Sequence, residues 1–275
     1  MPNLPTLRLG STSPYVRRLK MELTGLSKNY NNFIIDDYFD KKTEDALMNY
    51  QDDVRLTRNG IVGPATWASL ITRVKTIQVK LNSLGYNAGS PDGWFGPVTT
   101  SAVKRFQSAH GLVPEGVVNP RTRVKLFNPH PIDNFETRPS STSLSALDPY
   151  VAKLAHEFLR LCSANGLDVR ILAAFRSWDE SDRLYALGRT APGAVVSNAR
   201  AGDSYHNWGL AFDAAPFVNN VMTTDRAKFY LMGHLGEQVG LQWGGTFKSI
   251  VDLPHFQYTF GLTTEELQDG KRPPR

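Results

Sequence analysis

The first half of this 275-residue chain repeats itself, and this repeat constrains what the half can fold into. Nine residues between Phe39 and Leu70 recur 56 positions later, between Phe95 and Leu126, without a gap. The pairs are Phe39/Phe95, Thr43/Thr99, Ala46/Ala102, Gln51/Gln107, Leu56/Leu112, Gly60/Gly116, Pro64/Pro120, Thr66/Thr122 and Leu70/Leu126. The segment before them matches at a spacing of 58. An ungapped match of this length indicates internal duplication of one small unit.

Each copy predicts three short helices. Apolar residues in the first helix stand at i, i+3, i+7 and i+10, which is one face of a helix with 3.6 residues per turn. They are Val16, Leu19, Leu23 and Leu26 in copy one, and Val74, Ile77, Leu81 and Leu84 in copy two. Pro64 and Pro120 suit the first turn of the third helix. We assign residues 7–71 to repeat one and 72–128 to repeat two.

The composition changes after the second repeat. Residues 129–146 are rich in proline and serine and lack hydrophobic periodicity, which predicts a linker. From 147 to 262 a helical pattern is followed by strand patterns, and 263–275 is assigned as a tail. The predicted fold class is therefore multidomain: an all-α N-terminal module of two three-helix repeats, then an α+β domain with a small antiparallel sheet.

Two segments of the second domain carry candidate metal ligands. His206 and Asp213 lie seven residues apart, and His255 follows in a distant segment just after Asp252. Alternation along residues 209–213 predicts a strand on which Gly209, Ala211 and Asp213 share one face, with room there for metal or substrate. Two histidines and one carboxylate are a common catalytic zinc set with an open position for water. Asp252 is a suitable proton acceptor, so the pattern predicts metal-assisted hydrolysis.

The turn of the second repeat resembles a known wall-binding family. Residues 92–99 read DGWFGPVT, similar to the "DGxFGPxT" signature of peptidoglycan-binding domains. Residues 37–43 of copy one lack its two glycines and its proline. The resemblance implies peptidoglycan as the ligand, with copy two as the better binder and copy one partly structural. For single residues, turn chemistry alone explains most of the pattern.

The second domain resembles the VanY-like LD/DD-metallopeptidases over residues 147–262. The motifs lie at 176–177, 184–189, 204–213 and 243–256, in the family's order and spacing. The sequence DLP before the last histidine favours the L-alanyl-D-glutamate endopeptidase branch, which includes phage endolysins. The resemblance implies zinc ligands His206, Asp213 and His255, general base Asp252, carbonyl-binding Arg176 and peptide-contacting Ser204. Ser181 replaces a glutamine frequent in the family, and we expect it to affect substrate fit.

The leading hypothesis is a monomeric zinc enzyme that cleaves the L-Ala–D-Glu bond of peptidoglycan. The alternatives are a D-Ala–D-Ala carboxypeptidase of the same fold and a non-catalytic wall-binding protein. Residues 1–130 carry a net charge of +7, but the basic residues are dispersed, which argues against specific nucleic-acid binding.

The remaining expectations concern location and the single cysteine. Without an 18-residue apolar run, no membrane insertion is expected. The N-terminus lacks a secretory pattern, so an endolysin made in the host cytoplasm and released to the wall is expected. Cys162 is the only cysteine and is expected to be a buried core residue.

Overall fold

The structure is a computed structural model that describes residues 4–27, 33–127, 134–247 and 251–274. The chain divides into two compact units, Met1–His130 and Pro131–Arg275. Across the described ranges, no helix combines the length and the apolar character needed to cross a membrane.

The first unit is all-α. Its helices are α1 Pro14–Leu26, α2 Lys41–Asp53, α3 Pro64–Ser83, α4 Pro97–Ala109 and α5 Pro120–Phe127. The prediction of separate helices on either side of position 71 is wrong, because α3 runs through 20 residues without a break. No glycine or proline interrupts it after Pro64, and Leu70, Val74 and Ile77 stay on its buried side. The last helix of copy one and the first of copy two are thus one helix.

Both repeats contribute to one hydrophobic core. The equivalent Phe39 and Phe95 are both buried within it. Gly25 of α1 lies against the Phe95 ring, and a Cβ on Gly25 would collide with that ring. Val118 also donates a backbone hydrogen bond of 2.8 Å to the Gly25 carbonyl. The two repeats therefore pack into one shared core and do not fold as separate domains.

The second unit is α+β, as predicted. Its elements are α6 Pro149–Ala164, β1 Asp168–Ala173, α7 Trp178–Ala186, β2 Ala211–Val218, β3 Val221–Met222, α8 Arg226–Gln238, β4 Gln242–Trp243, β5 His255–Gln257 and α9 Thr264–Gln268. The strands form an antiparallel sheet in the order β1-β2-β5-β4, with β3 paired to β2. The small antiparallel sheet expected from the sequence is confirmed.

The core of this unit lies where α6 meets the sheet. The Phe158 ring of α6 packs 5.8 Å from Phe212 of β2 and 4.7 Å from Phe256 of β5, measured between centroids. Cys162 of α6 is buried in the same unit, and burial raises the pKa of its thiol to about 12. The cysteine is thus the buried core residue that the sequence predicts, and its thiol stays protonated.

The described part of the predicted linker, residues 134–146, belongs to the second unit, and residues 129–133 lie outside the described residues. Within 129–146, Phe135 lies 5.3 Å from the Trp208 ring, and the Ser141 amide donates to the Phe175 carbonyl at 2.8 Å. Single residues within a proline- and serine-rich stretch make these contacts. Because they do not recur at a helical or strand spacing, hydrophobic periodicity does not reveal them.

The predicted tail, 263–275, is also part of the unit. Thr263 caps α9, and Leu267 on that helix is 1% exposed. The Arg272 guanidinium lies 5.4 Å from the centroid of the Trp208 ring, a cation–π contact. Residues outside the predicted catalytic domain therefore support the segment that carries His206.

Candidate metal centre

His206 is presented by a short 3₁₀ helix, Tyr205–Trp208. The Ser204 hydroxyl caps this helix by accepting from the His206 amide at 3.3 Å. The imidazole is 2% exposed, and its Nδ1 lies 2.8 Å from the Ala174 carbonyl oxygen. A carbonyl oxygen only accepts, so Nδ1 carries the proton and Nε2 presents its lone pair.

Asp213 and His255 face each other across the sheet. They are directly paired in the antiparallel register of β2 and β5, which places their side chains next to each other. His255 Nε2 lies 2.9 Å from Gln257 Oε1, and the Gln257 amide nitrogen donates to Gln242 Oε1 at 2.9 Å. Because Gln257 presents its oxygen, His255 donates from Nε2 and keeps the Nδ1 lone pair for a ligand role.

The three side chains converge on one point. His206 Nε2 lies 3.2 Å from His255 Nδ1 and 3.1 Å from Asp213 Oδ1, and His255 Nδ1 lies 3.4 Å from Asp213 Oδ1. Among the described residues, these three form the cluster able to hold a metal ion. Tetrahedral zinc with bonds of ~2.0–2.2 Å separates its donor atoms by ~3.3–3.6 Å. Of the three distances, 3.4 Å lies within this range and 3.1 and 3.2 Å lie just below it, so the donor set suits zinc after a small outward shift of the donor atoms.

Arg176 lies beside this cluster. It follows β1, and its backbone amide donates to the His206 carbonyl at 3.2 Å. Its guanidinium Nη2 donates to Asp213 Oδ2 at 3.0 Å. Asp213 thus offers Oδ1 to the two imidazoles and Oδ2 to Arg176. The guanidinium side chain is 20% exposed, so part of it remains accessible to a substrate.

The electrostatics of the cluster suit a cation. Burial opposes ionisation of Asp213, but His206 and His255 outweigh it and hold the pKa of this carboxyl well below its usual range. Burial lowers the pKa of His206, which keeps its imidazole neutral. For His255 burial also favours the neutral form, but the hydrogen bond and the charge of Asp213, together with Gln257 and Asp252, outweigh it and raise the pKa. The anionic Asp213 carboxylate thus faces two imidazoles. A proton competes with a metal ion for one of them, His255.

Asp252 sits in the turn that precedes β5. Its backbone amide donates to the Gly244 carbonyl at 3.0 Å, and its own carbonyl accepts from the His255 amide at 3.2 Å. A Cβ on Gly244 would collide with the Asp252 carbonyl, so this close approach requires glycine. Asp252 is solvent accessible, yet neighbouring atoms desolvate its carboxyl and raise the pKa. A carboxylate with a raised pKa is better matched to proton transfer near neutral pH.

Two sequence expectations are corrected at this site. Gly209 does not share a strand face with Asp213, because it ends the 3₁₀ helix with φ +68° and β2 begins at Ala211. A Cβ on Gly209 would approach the Asp148 amide nitrogen to 3.2 Å, so its small size serves backbone packing, not the metal. Ser181 is 1% exposed and its hydroxyl accepts from Asn207 Nδ2 at 2.8 Å, so it supports the scaffold and is not on an accessible surface. The Ser204 hydroxyl caps the 3₁₀ helix, and its contact with the peptide stays a prediction.

Two buried amides that position the ligands were missed from the sequence. Asn207 is fully buried; its Oδ1 accepts from the Gly202 amide at 3.0 Å, and its Nδ2 donates to the Arg176 carbonyl at 2.8 Å. It therefore ties the His206 helix to the segment that carries Arg176. Gln257 orients His255. Its position two residues after the candidate ligand His255 on a strand was the available signal, since residues i and i+2 share a face.

Models of two protein families match this chain. A peptidoglycan binding domain matches residues 12–70 and, again, 72–126. A family described as D-alanyl-D-alanine carboxypeptidase matches residues 197–258, a range that contains His206, Asp213, Asp252 and His255.

Individual proteins are also similar. The peptidoglycan L-alanyl-D-glutamate endopeptidase CwlK of Bacillus subtilis is 35% identical over 128 residues, which are 41% of this chain and 74% of that protein. The zinc D-Ala-D-Ala carboxypeptidase of Streptomyces albus G is 53% identical over 36 residues, 13% of this chain and 14% of that protein. The solved structure of the L-Ala D-Glu endopeptidase ChiX of Serratia marcescens aligns at 20% identity with a TM-score of 0.34, covering 47% of this chain and 95% of that chain.

Proposed function

This chain belongs to the peptidoglycan endopeptidase family, and on that premise we propose that it hydrolyses the peptidoglycan stem peptide between L-Ala and D-Glu. The observation that carries the proposal is the convergence of His206 Nε2, His255 Nδ1 and Asp213 Oδ1 within 3.4 Å of one another. Each imidazole uses its other nitrogen to donate a hydrogen bond, so both lone pairs are directed to the same point.

His206, Asp213 and His255 are the proposed zinc ligands. When bound, zinc acts as a Lewis acid that lowers the pKa of a coordinated water toward ~7. Asp213 supplies the one anionic ligand, and Arg176 holds the second oxygen of that carboxylate. The buried imidazoles exclude solvent from one side, while Asp252 stays open to solvent on another.

Asp252 is the proposed general base. Its raised pKa favours taking a proton from the attacking water and returning it to the leaving amine. The accessible part of the Arg176 guanidinium is suited to stabilise the negative charge that develops on the scissile carbonyl oxygen. The Ser204 hydroxyl caps the His206 helix, and we propose that Ser204 also contacts the peptide.

The first unit is the proposed wall anchor. Repeats at 7–71 and 72–128 bind peptidoglycan and keep the catalytic residues of 147–262 at the insoluble polymer, which raises the local substrate concentration. The enzyme acts as a monomer at the bacterial cell wall. The proposed domain arrangement counts the described parts of 129–146 and 263–275 with the catalytic unit, since both contain residues that pack on it.

A second candidate reaction is removal of D-Ala from the end of the stem peptide. The carboxypeptidase family model that spans the metal ligands favours it. Mass spectrometry of purified peptidoglycan after digestion separates the two reactions. We expect new peptides with N-terminal D-Glu, and their absence together with release of free D-Ala would assign the carboxypeptidase reaction instead. The variant Asp252→Asn is the control for contaminating hydrolases.

A further inference from the structure

The two repeats each expose one aromatic ring at the same position. Tyr38 in copy one is 51% exposed, and Trp94, which lies 56 residues later, is 43% exposed. The next residue in each copy, Phe39 or Phe95, is buried in the core. Single exposed apolar residues are common on proteins, but here the duplication places an exposed aromatic ring at the same position of both copies.

In copy two, side-chain hydrogen bonds fix the turn that carries the ring. Asp92 Oδ1 accepts from the Trp94 amide at 2.8 Å and from Gln78 Nε2 at 2.9 Å. Gln78 also donates to the Trp94 carbonyl at 3.1 Å, and it is only 1% exposed. Both backbone polar groups of Trp94 are therefore bound to the protein, and the residue presents only its ring outward.

Copy one builds the same support from a different residue. Asp36 Oδ1 accepts from the Tyr38 amide at 3.0 Å, and Lys20 Nζ donates to Asp36 Oδ1 and to the Tyr38 carbonyl, both at 2.7 Å. Lys20 is fully buried, a costly environment for an ammonium group unless it is fully hydrogen-bonded. Copy one lacks the glycines of the signature, yet its ring is held at the equivalent place. The hydrogen-bonded support of the ring is therefore present in both copies.

The setting of Trp94 defines the ligand chemistry. A Cβ on Gly96 would lie 3.2 Å from the Trp94 ring, so one side of the ring rests on the glycine backbone. The carboxylate of Asp92 is engaged within the turn, which leaves a flat apolar surface for contact. Such a surface matches the C–H face of a pyranose ring, and rigid aromatic side chains lose little conformational entropy when they bind.

We propose that Tyr38 and Trp94 are two stacking platforms for the sugar rings of the peptidoglycan glycan strand. This inference rests on the proposed function in taking peptidoglycan as the ligand of the first unit. It assigns recognition to the glycan rather than to the stem peptide, which is the part that the metal centre cleaves. The first unit thus binds the glycan strand of the polymer, and the second unit cleaves its stem peptide.

The test compares Tyr38→Ala, Trp94→Ala and the double variant in a sedimentation assay with purified sacculi. We expect each single variant to bind roughly 3- to 10-fold more weakly, in line with an aromatic contact, and the double variant to bind weakest. Trp94→Phe keeps a ring and should recover most of the binding. Val113→Ala, at a residue of the same unit that is 70% exposed, is the matched control for loss of exposed apolar surface and should bind normally.

A second measurement separates glycan from peptide. Peptide-free glycan strands and isolated stem peptides are titrated against the full-length protein by calorimetry, with the double variant in parallel. Binding of the native protein to glycan, lost in the double variant, supports the proposal. Binding only to stem peptides, or full binding by a double variant with a native melting temperature, would overturn it. Cleavage of a soluble stem peptide by the native protein reports separately on the proposed function.

Discussion

Gln257 provides a direct way to perturb the metal centre without touching a ligand. Its Oε1 lies 2.9 Å from His255 Nε2, and it is 9% exposed. The change Gln257→Leu removes the acceptor and leaves a buried imidazole N–H unsatisfied, which costs ~1–3 kcal/mol. Loss of such an outer partner typically lowers metal affinity ~10- to 100-fold, equivalent to ~1.4–2.7 kcal/mol. The first figure is a loss of folding stability, and the second sets the expected weakening of zinc binding.

The assay is zinc competition against a chromophoric chelator. Gln257→Glu is the matched variant, because a carboxylate still accepts from His255 Nε2 and should keep affinity near native. Gln242→Ala removes only the residue that binds the Gln257 amide nitrogen, at 2.9 Å, and should have a smaller effect. Native affinity in a folded Gln257→Leu protein, or equal losses in the Leu and Glu variants, would refute the role of Gln257 as the residue that orients His255.

The remaining predictions concern the base, a ligand and the first unit. Asp252→Asn should bind one zinc yet lose most turnover, as measured by peptide cleavage and metal analysis; normal turnover would remove Asp252 as the base. His206→Ala should lose both zinc and activity, and full zinc occupancy in this variant would contradict the ligand set. Burial raises the pKa of Glu22 to about 7 despite its contact with Arg18, so the folded form retains a proton that the unfolded chain releases above about 4.5. The free energy of unfolding should therefore fall by about 3 kcal/mol between pH 4.5 and pH 7. Glu22→Gln should remove that part of the pH dependence in thermal melts of the full chain. The same loss of stability between these pH values in Glu22→Gln would disprove the role of Glu22.

Periodicity and duplication were sufficient to predict the architecture. The apolar spacing of Val16, Leu19 and Leu23 gave one buried helix face, and the 56-residue offset gave the second copy. The break predicted inside α3 was wrong, because duplication shows where a unit recurs but not whether the chain is interrupted between copies. The packing of Phe135 and Arg272 on Trp208 was also missed, since single aromatic and cation–π contacts follow no period.

At the candidate site, too, the sequence was sufficient for some features and not for others. His206, Asp213 and His255 were identified by motif, and the structure brings their donor atoms together. The support around them was harder to predict, because a buried hydrogen-bond network joins segments that are distant in sequence. Ser204 caps the helix that carries His206, a role that the sequence did not indicate, and its contact with the peptide stays a prediction. Asn207 reads as an ordinary polar residue in the sequence, yet it links the Gly202 loop to Arg176.

The most direct test is a zinc titration of the metal-free protein with a defined stem peptide as substrate. The product with N-terminal D-Glu should appear in proportion to added zinc and reach a plateau at one equivalent. Removing zinc with a chelator should abolish it, and His206→Ala should form none at any zinc level. Turnover that is independent of metal, or free D-Ala as the sole product, would contradict a zinc-dependent L-Ala–D-Glu endopeptidase built on His206, Asp213 and His255.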